Sequence, residues 1–125
     1  MTMLPEFRVI IAGGRLFNNY DLMCQTADKI LASKSKTHKI TIVSGAAKGA
    51  DTLGARYAQD NGYGLSTHYA IWETYGKSAG YIRNQEMADA SDALIAYWDG
   101  QSRGTKHMID IAKAKGMPTR IIKYS

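Results

Sequence analysis

A chain of 125 residues with 45% hydrophobic and 22% charged residues, twelve Gly and two Pro has the size and composition of one folded unit with a single core. That composition excludes a collagen, a coiled coil and a disordered tail. Sixteen Lys and Arg against eleven Asp and Glu leave a net charge of +5, which favours anionic partners such as phosphate groups without naming one.

The first predicted element is a strand over Phe7 to Ala12, apolar throughout at Val9-Ile10-Ile11, and it runs into Gly13-Gly14-Arg15. A helix follows, in which Leu22, Met23, Thr26, Ala27, Ile30 and Leu31 recur at helical spacing. Lys29, Lys34, Lys36 and Lys39 around His38 read as the cationic end of that helix and a loop, where positive charge suits the helix dipole, rather than as a nucleic-acid patch. The second strand, Ile40 to Ser44, leads into Ser44-Gly45-Ala46-Ala47-Lys48-Gly49-Ala50-Asp51 and a helix bearing Leu53, Gly54, Tyr57 and Ala58, which Asn61-Gly62 stops. Gly64 to Tyr69 reads as a third strand and Ser78 to Ala90 as a third helix. After the fourth strand, Ala93 to Trp98, a fourth helix starts with Thr105 as its N-cap and ends at Gly116-Met117-Pro118. Thr119 to Lys123 is the last strand.

Strands without polar alternation are covered on both faces, which is the habit of parallel sheets. The order βαβαβαβαβ with short connections therefore predicts an α/β three-layer sandwich with a mainly parallel five-stranded sheet. The single cysteine, Cys24, has no partner for an internal disulfide, and His38, His68 and His107 have no metal-ligand spacing, so neither a metal nor a cofactor is expected. No apolar run approaches the roughly 18 residues of a membrane span, and Met1 to Pro5 lacks a signal-peptide pattern; the expectation is a cytoplasmic protein without a membrane partner.

Open parallel sheets bind ligands beyond the carboxyl ends of their strands, where loops converge and helix N-termini offer unpaired N–H groups. The small residues from Ser44 to Ala50 let a backbone approach a ligand closely, although the run is neither a dinucleotide GxGxxG nor a phosphate-binding GK[ST] loop. Asp51 has the chemistry to accept a hydrogen bond from a ribose hydroxyl, or to cap its own helix. On the third helix Arg83 suits a phosphate and Asn84 a base edge, while Glu86 is the nearby carboxylate able to activate water. Ser102-Arg103-Gly104-Thr105 is a second run that could cradle an anion. A tight turn and a solvated helix face would give the same residue types, so these readings stay paired.

Taken together, Ser44 to Asp51, the Arg83-Asn84 pair and Ser102 to Thr105 make the chain resemble the SLOG superfamily, the Rossmann-like domains shared by the DprA (Smf) proteins and the LOG cytokinin-activating hydrolases. The likeness is strongest to its small stand-alone YspA-type branch and runs from Ile11 to Ile122. It implies a single nucleotide-binding domain over residues 1–125 and a pocket for a nucleotide or nucleotide-derived molecule. Gly13 and Arg15 would line it from the first loop, and Ser44, Gly45, Ala47, Gly49, Ala50 and Asp51 from the second. Trp72, Arg83 and Asn84 would close a third side, and Ser102, Gly104 and Thr105 a fourth.

LOG enzymes cleave the N-glycosidic bond of nucleoside monophosphates with an arginine on the third helix and a glutamate shortly after a Pro-Gly-Gly-x-Gly-Thr motif. Arg83 matches the first, but Asp99 to Met108 contains neither the proline nor the glutamate. The resemblance therefore favours binding, as a sensor or sequestering module. Its alternative is an N-glycoside hydrolase with Arg83, Glu86 and Asp99 as catalytic residues. A further option is single-stranded nucleic-acid binding as in DprA, for which Tyr69, Trp72, Tyr75, Tyr81 and Trp98 offer stacking surfaces, though the modest charge without a basic stripe disfavours it. SLOG relatives commonly self-associate, and eight Tyr and two Trp on so small a chain add to the expectation of a homo-oligomer, most simply a dimer.

Overall fold

Each apolar run of the sequence becomes a strand because its branched and small side chains pack on both faces of the backbone. The computed structural model describes residues 4–124. Its strands are β1 (Glu6–Gly13), β2 (Lys39–Ser44), β3 (Gly64–Thr67), β4 (Ala93–Trp98) and β5 (Thr119–Lys123). Its helices are α1 (Tyr20–Thr37), α2 (Ala50–Asp60), α3 (Trp72–Tyr75), α4 (Ala79–Asp89) and α5 (Arg103–Ala114), with a 3-10 turn at Gly76–Ser78. All four strand pairings are parallel, in the order β3-β2-β1-β4-β5. The α/β sandwich expected from the sequence is what forms, with a sheet that is parallel throughout.

Alternation along β1 divides the core into two layers. Val9 and Ile11 fall in one cluster with Met23, Leu31 and Tyr57 of α1 and α2, while Ile10 and Ala12 fall in the other with Met87, Met108 and Ile109 of α4 and α5. The helix ends follow their chemistry. Asn19 caps α1, its Oδ1 accepting a 3.0 Å hydrogen bond from the Leu22 N–H, and Lys34 and Lys36 occupy the last turn against the dipole.

Three boundaries differ from the sequence expectation. β3 stops at Thr67 instead of Tyr69, because an edge strand has only β2 to pair with and its residues are at most half-buried. The β3–α4 connection winds into α3 and the 3-10 turn, neither of which buries a residue, so no apolar periodicity announced them. α5 begins at Arg103 with Ser102 as its N-cap, three residues before the expected Thr105, which is buried inside the first turn.

The chain leaves β1 for β2 and β3 on one side, then crosses to β4 and β5 on the other. The order reverses between β1 and β4, and that switch opens a crevice at the carboxyl end of the sheet. α2 reaches its place beside β1 through Gly54: a Cβ built there would lie 2.8 Å from Ile11 Cγ2 and 3.0 Å from Ile11 Cβ. In an exposed helix a larger residue at a glycine raises stability, but here overpacking against Ile11 outweighs propensity. Gly54→Val is expected to lower unfolding free energy by about 1 to 3 kcal/mol, read as a fall in the denaturation midpoint; a variant as stable as the parent would show that α2 does not depend on this approach.

Candidate functional site

The crevice at the switch has a volume of about 450 Å³. Its floor is the first loop, whose shape is fixed by backbone contacts. The Gly14 N–H donates to the Tyr97 carbonyl of β4 at 3.0 Å, and the Gly14 carbonyl accepts from the Ala50 N–H at the head of α2 at 3.2 Å. A Cβ at Gly13 would collide with the Tyr97 carbonyl, which is why this position has no side chain.

On the far side, the β4–α5 loop is held by its own carboxylate. Asp99 Oδ1 accepts from the Gln101 and Ser102 N–H groups at 2.8 Å each, and these bonds keep the Asp99 carboxyl below the usual carboxylate range. Trp98 Nε1 donates to the Ser102 carbonyl at 3.1 Å. No side chain caps α5, so Ser102, Gly104 and Thr105 present the open first turn of a twelve-residue helix to the crevice.

The third wall is α4. Arg83 donates from Nη1 to the Gly45 carbonyl at 3.0 Å and from Nε to Asn84 Oδ1 at 3.4 Å; among the described residues its Nη2 has no hydrogen-bond partner. Asn84 is buried, and its Nδ2 reaches the Gly104 carbonyl at 3.2 Å and His107 Nδ1 at 3.1 Å. It therefore acts as a brace between α4 and the α5 first turn, with its donor side already engaged.

Asp51, on the first turn of α2, is the crevice's buried carboxylate at 4% exposure. Its Oδ2 accepts from the Ala47 N–H at 3.3 Å. Burial pushes its pKa up from 3.8 to about 6, against the opposing pull of the Arg83 and Arg15 guanidiniums and of backbone N–H groups.

Eleven of the sequence-predicted residues line this crevice: Gly13, Arg15, Ala47, Asp51, Trp72 and Arg83 on one side, and Asn84, Asp99, Ser102, Gly104 and Thr105 on the other. Ser44, Gly45, Gly49, Ala50 and Glu86 do not. Ser44 is buried, its Oγ donating to the Asp51 carbonyl at 3.0 Å, and Ala50 is wholly buried beneath the first loop. The space beside Gly49 holds protein: at φ +78° a Cβ there would strike the carbonyls of Gly14 and Arg15. The close approach that its missing side chain permits is thus between two loops. Gly45 faces Asp51 and Arg83 in the same way, its Cβ position lying 2.8 Å from Asp51 Oδ2 and 3.0 Å from Arg83 Nε. Glu86 points away, 3.8 Å from His68 Nδ1, and is the one proposed catalytic residue that the fold does not bring to the crevice.

Sequence reasoning missed Leu16, Lys77, Met87, Met108 and Tyr124, which also line the crevice, as does Tyr81, which it offered only as a stacking surface for nucleic acid. Tyr124 follows β5 at the same end of the sheet as the other loops, and that position was its one available signal. Tyr81 and Met87 lay within the helix already singled out, two residues before Arg83 and four after it.

These features can be set beside known proteins. The model of the YspA, cpYpsA-related SLOG family matches residues 7–75. The chain belongs to that family. Gene 61 protein of Mycobacterium phage D29 is 34% identical over 118 residues, covering 89% of this chain and 92% of the phage protein. Among solved structures, DNA processing protein A (DprA) from Streptococcus pneumoniae aligns with a TM-score of 0.71 over 98% of this chain at 18% identity. This SLOG chain spans 51% of that DprA chain, and the likeness is one of fold. No helix among the described residues is long and apolar enough to cross a membrane, and no cluster of three or more His, Cys, Asp or Glu among them is placed to hold a metal.

The buried Asp51 makes stability depend on pH. Its folded pKa of about 6 lies above the ordinary 3.8, so the folded SLOG domain binds this proton more tightly than the unfolded chain. The contribution is fully present below pH 4 and is lost as pH rises through 6, a span of about 3 kcal/mol. Asp51→Asn, which keeps an acceptor for the Ala47 N–H, is expected to gain stability over the parent between pH 4 and 8. Urea midpoints of both proteins across that range check the sign; a parent that keeps pace with the variant refutes it.

Proposed function

We propose that this SLOG domain binds a nucleotide or a nucleotide-derived small molecule in the switch-point crevice, as a sensing or sequestering module. The observation that carries the reading is the convergence of an uncapped α5 first turn, the Arg83 guanidinium and the buried Asp51 carboxylate on one crevice. A phosphate fits between the helix start and Arg83, where N–H groups and a fixed cation face it. A sugar hydroxyl fits Asp51, which accepts a hydrogen bond when ionised. The apolar surface needed for a base comes from the exposed Leu16 side chain and the Tyr81 and Tyr124 rings. Family membership fits a nucleotide- or nucleic-acid-binding role in general, and the concave shape favours the small molecule.

N-glycoside hydrolysis is the second reading, and one observation favours it. A buried carboxylate with a pKa near 6 beside an arginine is the environment of a general acid or base. In that case Asp51 takes the place proposed for Glu86, which is turned outward, and for Asp99, whose Oδ1 is engaged by its own turn.

Two measurements test these readings. Arg83→Ala is expected to weaken binding of the preferred nucleoside monophosphate by about tenfold to a hundredfold, since a charge-assisted contact is worth about 1.5 to 3 kcal/mol. Titration calorimetry that finds unchanged affinity in a folded variant overturns the assigned phosphate site. Incubation with nucleoside monophosphates and chromatography for free base separates the two readings: no release is expected, and release that disappears in Asp51→Asn establishes the hydrolase.

A further inference from the structure

A second concavity of about 340 Å³ adjoins the main crevice. The two share Arg15, Ala47, Trp72 and Arg83, so they adjoin along these residues, two of which carry guanidiniums. Their chemistry differs. The main crevice carries the carboxylates Asp51 and Asp99, whereas the second is lined by Arg15, Lys48 and Arg83 with no acidic residue. It also presents two open aromatic faces, Tyr69 at 70% and Trp72 at 52% exposure, which the core does not use.

Its floor is rigid. Gly45 is clamped by the Arg83 bond to its carbonyl at 3.0 Å, and Ala46 stands in the left-handed region at φ +61° with its N–H 3.3 Å from the acceptor Ser44 Oγ. A non-glycine residue keeps that conformation where its surroundings impose it.

We propose that the ligand of this site is a dinucleotide, two nucleosides joined 5′ to 5′ by a diphosphate, which occupies both compartments at once. The inference rests on the nucleotide reading above and deepens it. One nucleoside sits in the main crevice with its ribose on Asp51. The diphosphate lies against Arg15 and Arg83, the two guanidiniums that line both compartments and can each present paired N–H donors to a phosphate. The second planar ring stacks on Tyr69 and Trp72, with Lys48 beside the linker. A compartment of 340 Å³ falls within the size range of sites that enclose drug-sized groups, so it accommodates a nucleoside and not only a water cluster.

The test is calorimetric titration of the full chain with three probe sets, each in adenine, guanine, cytosine and uracil forms: 5′-monophosphates, 5′,5′-diphosphate dinucleosides, and 3′,5′-linked dinucleoside monophosphates. The best 5′,5′-diphosphate is expected to bind at least about tenfold tighter than the best monophosphate, as one stacked ring contributes about 1 to 3 kcal/mol. Tyr69→Ala and Lys48→Ala, both surface substitutions, are each expected to remove about fivefold or more of that gain while changing monophosphate affinity less than about twofold. Monophosphate binding with no gain from the second nucleoside overturns the dinucleotide and leaves the nucleotide reading standing, as does an equal loss for both probes in either variant. A 3′,5′-linked probe that binds as tightly as the 5′,5′-diphosphate overturns the diphosphate linkage. Failure of all three sets to bind overturns the nucleotide reading together with this one.

Discussion

Gly14 bonds in two directions, its N–H to the Tyr97 carbonyl of β4 and its carbonyl to the Ala50 N–H at the start of α2. These bonds join the ends of three elements at the point where the sheet reverses its order. Because the neighbouring Gly13 and Gly49 have no side chains, the first loop, β4 and the head of α2 come within backbone contact of one another. That contact fixes Asp51 at the crevice wall, one residue after Ala50, and brings Arg15 to its edge. The site's geometry is in this sense a consequence of how tightly the two loops close.

Electrostatics inside the crevice are set by unequal desolvation. Asp51 and Asp99 are both carboxylates on loops after strands, yet burial raises the proton affinity of one while backbone N–H donors lower that of the other. Asp99 spends its charge on shaping the α5 entrance. Asp51 keeps an unsatisfied preference for a proton, a cation or a hydroxyl donor, and Arg83, anchored to Gly45, supplies only part of that compensation. The α5 first turn is left uncapped a short way off, so the crevice offers an acceptor and a set of donors on opposite walls.

The two helix starts nearest the crevice have thereby taken different tasks. On sequence they look alike, each a small-residue run before a helix. In the fold the α2 start is closed from above by the first loop, and its contribution is a side chain; the α5 start is open, and its contribution is the backbone. DprA shares this fold at 18% identity, so the arrangement of strands and helices does not depend on most of the side chains that line this crevice.

The strands, their parallel pairing and the side of the sheet that carries the loops were legible in the sequence, because apolar runs and helical spacing depend on local burial that repeats along the chain. Arg83, Asp51 and the Ser102 to Thr105 turn were legible for a related reason: residue types with one evident chemistry stood at strand ends, where such folds bind. Tertiary structure alone decided which of these groups face the ligand space. Gly49 and Glu86 have the right identities at the right spacing, but one is covered by Gly14 and Arg15 and the other turns toward His68. Direction of that kind depends on contacts between segments far apart in the chain, as between the first loop and α2 or between Asn84 and Gly104, and no pattern of neighbouring residues encodes it.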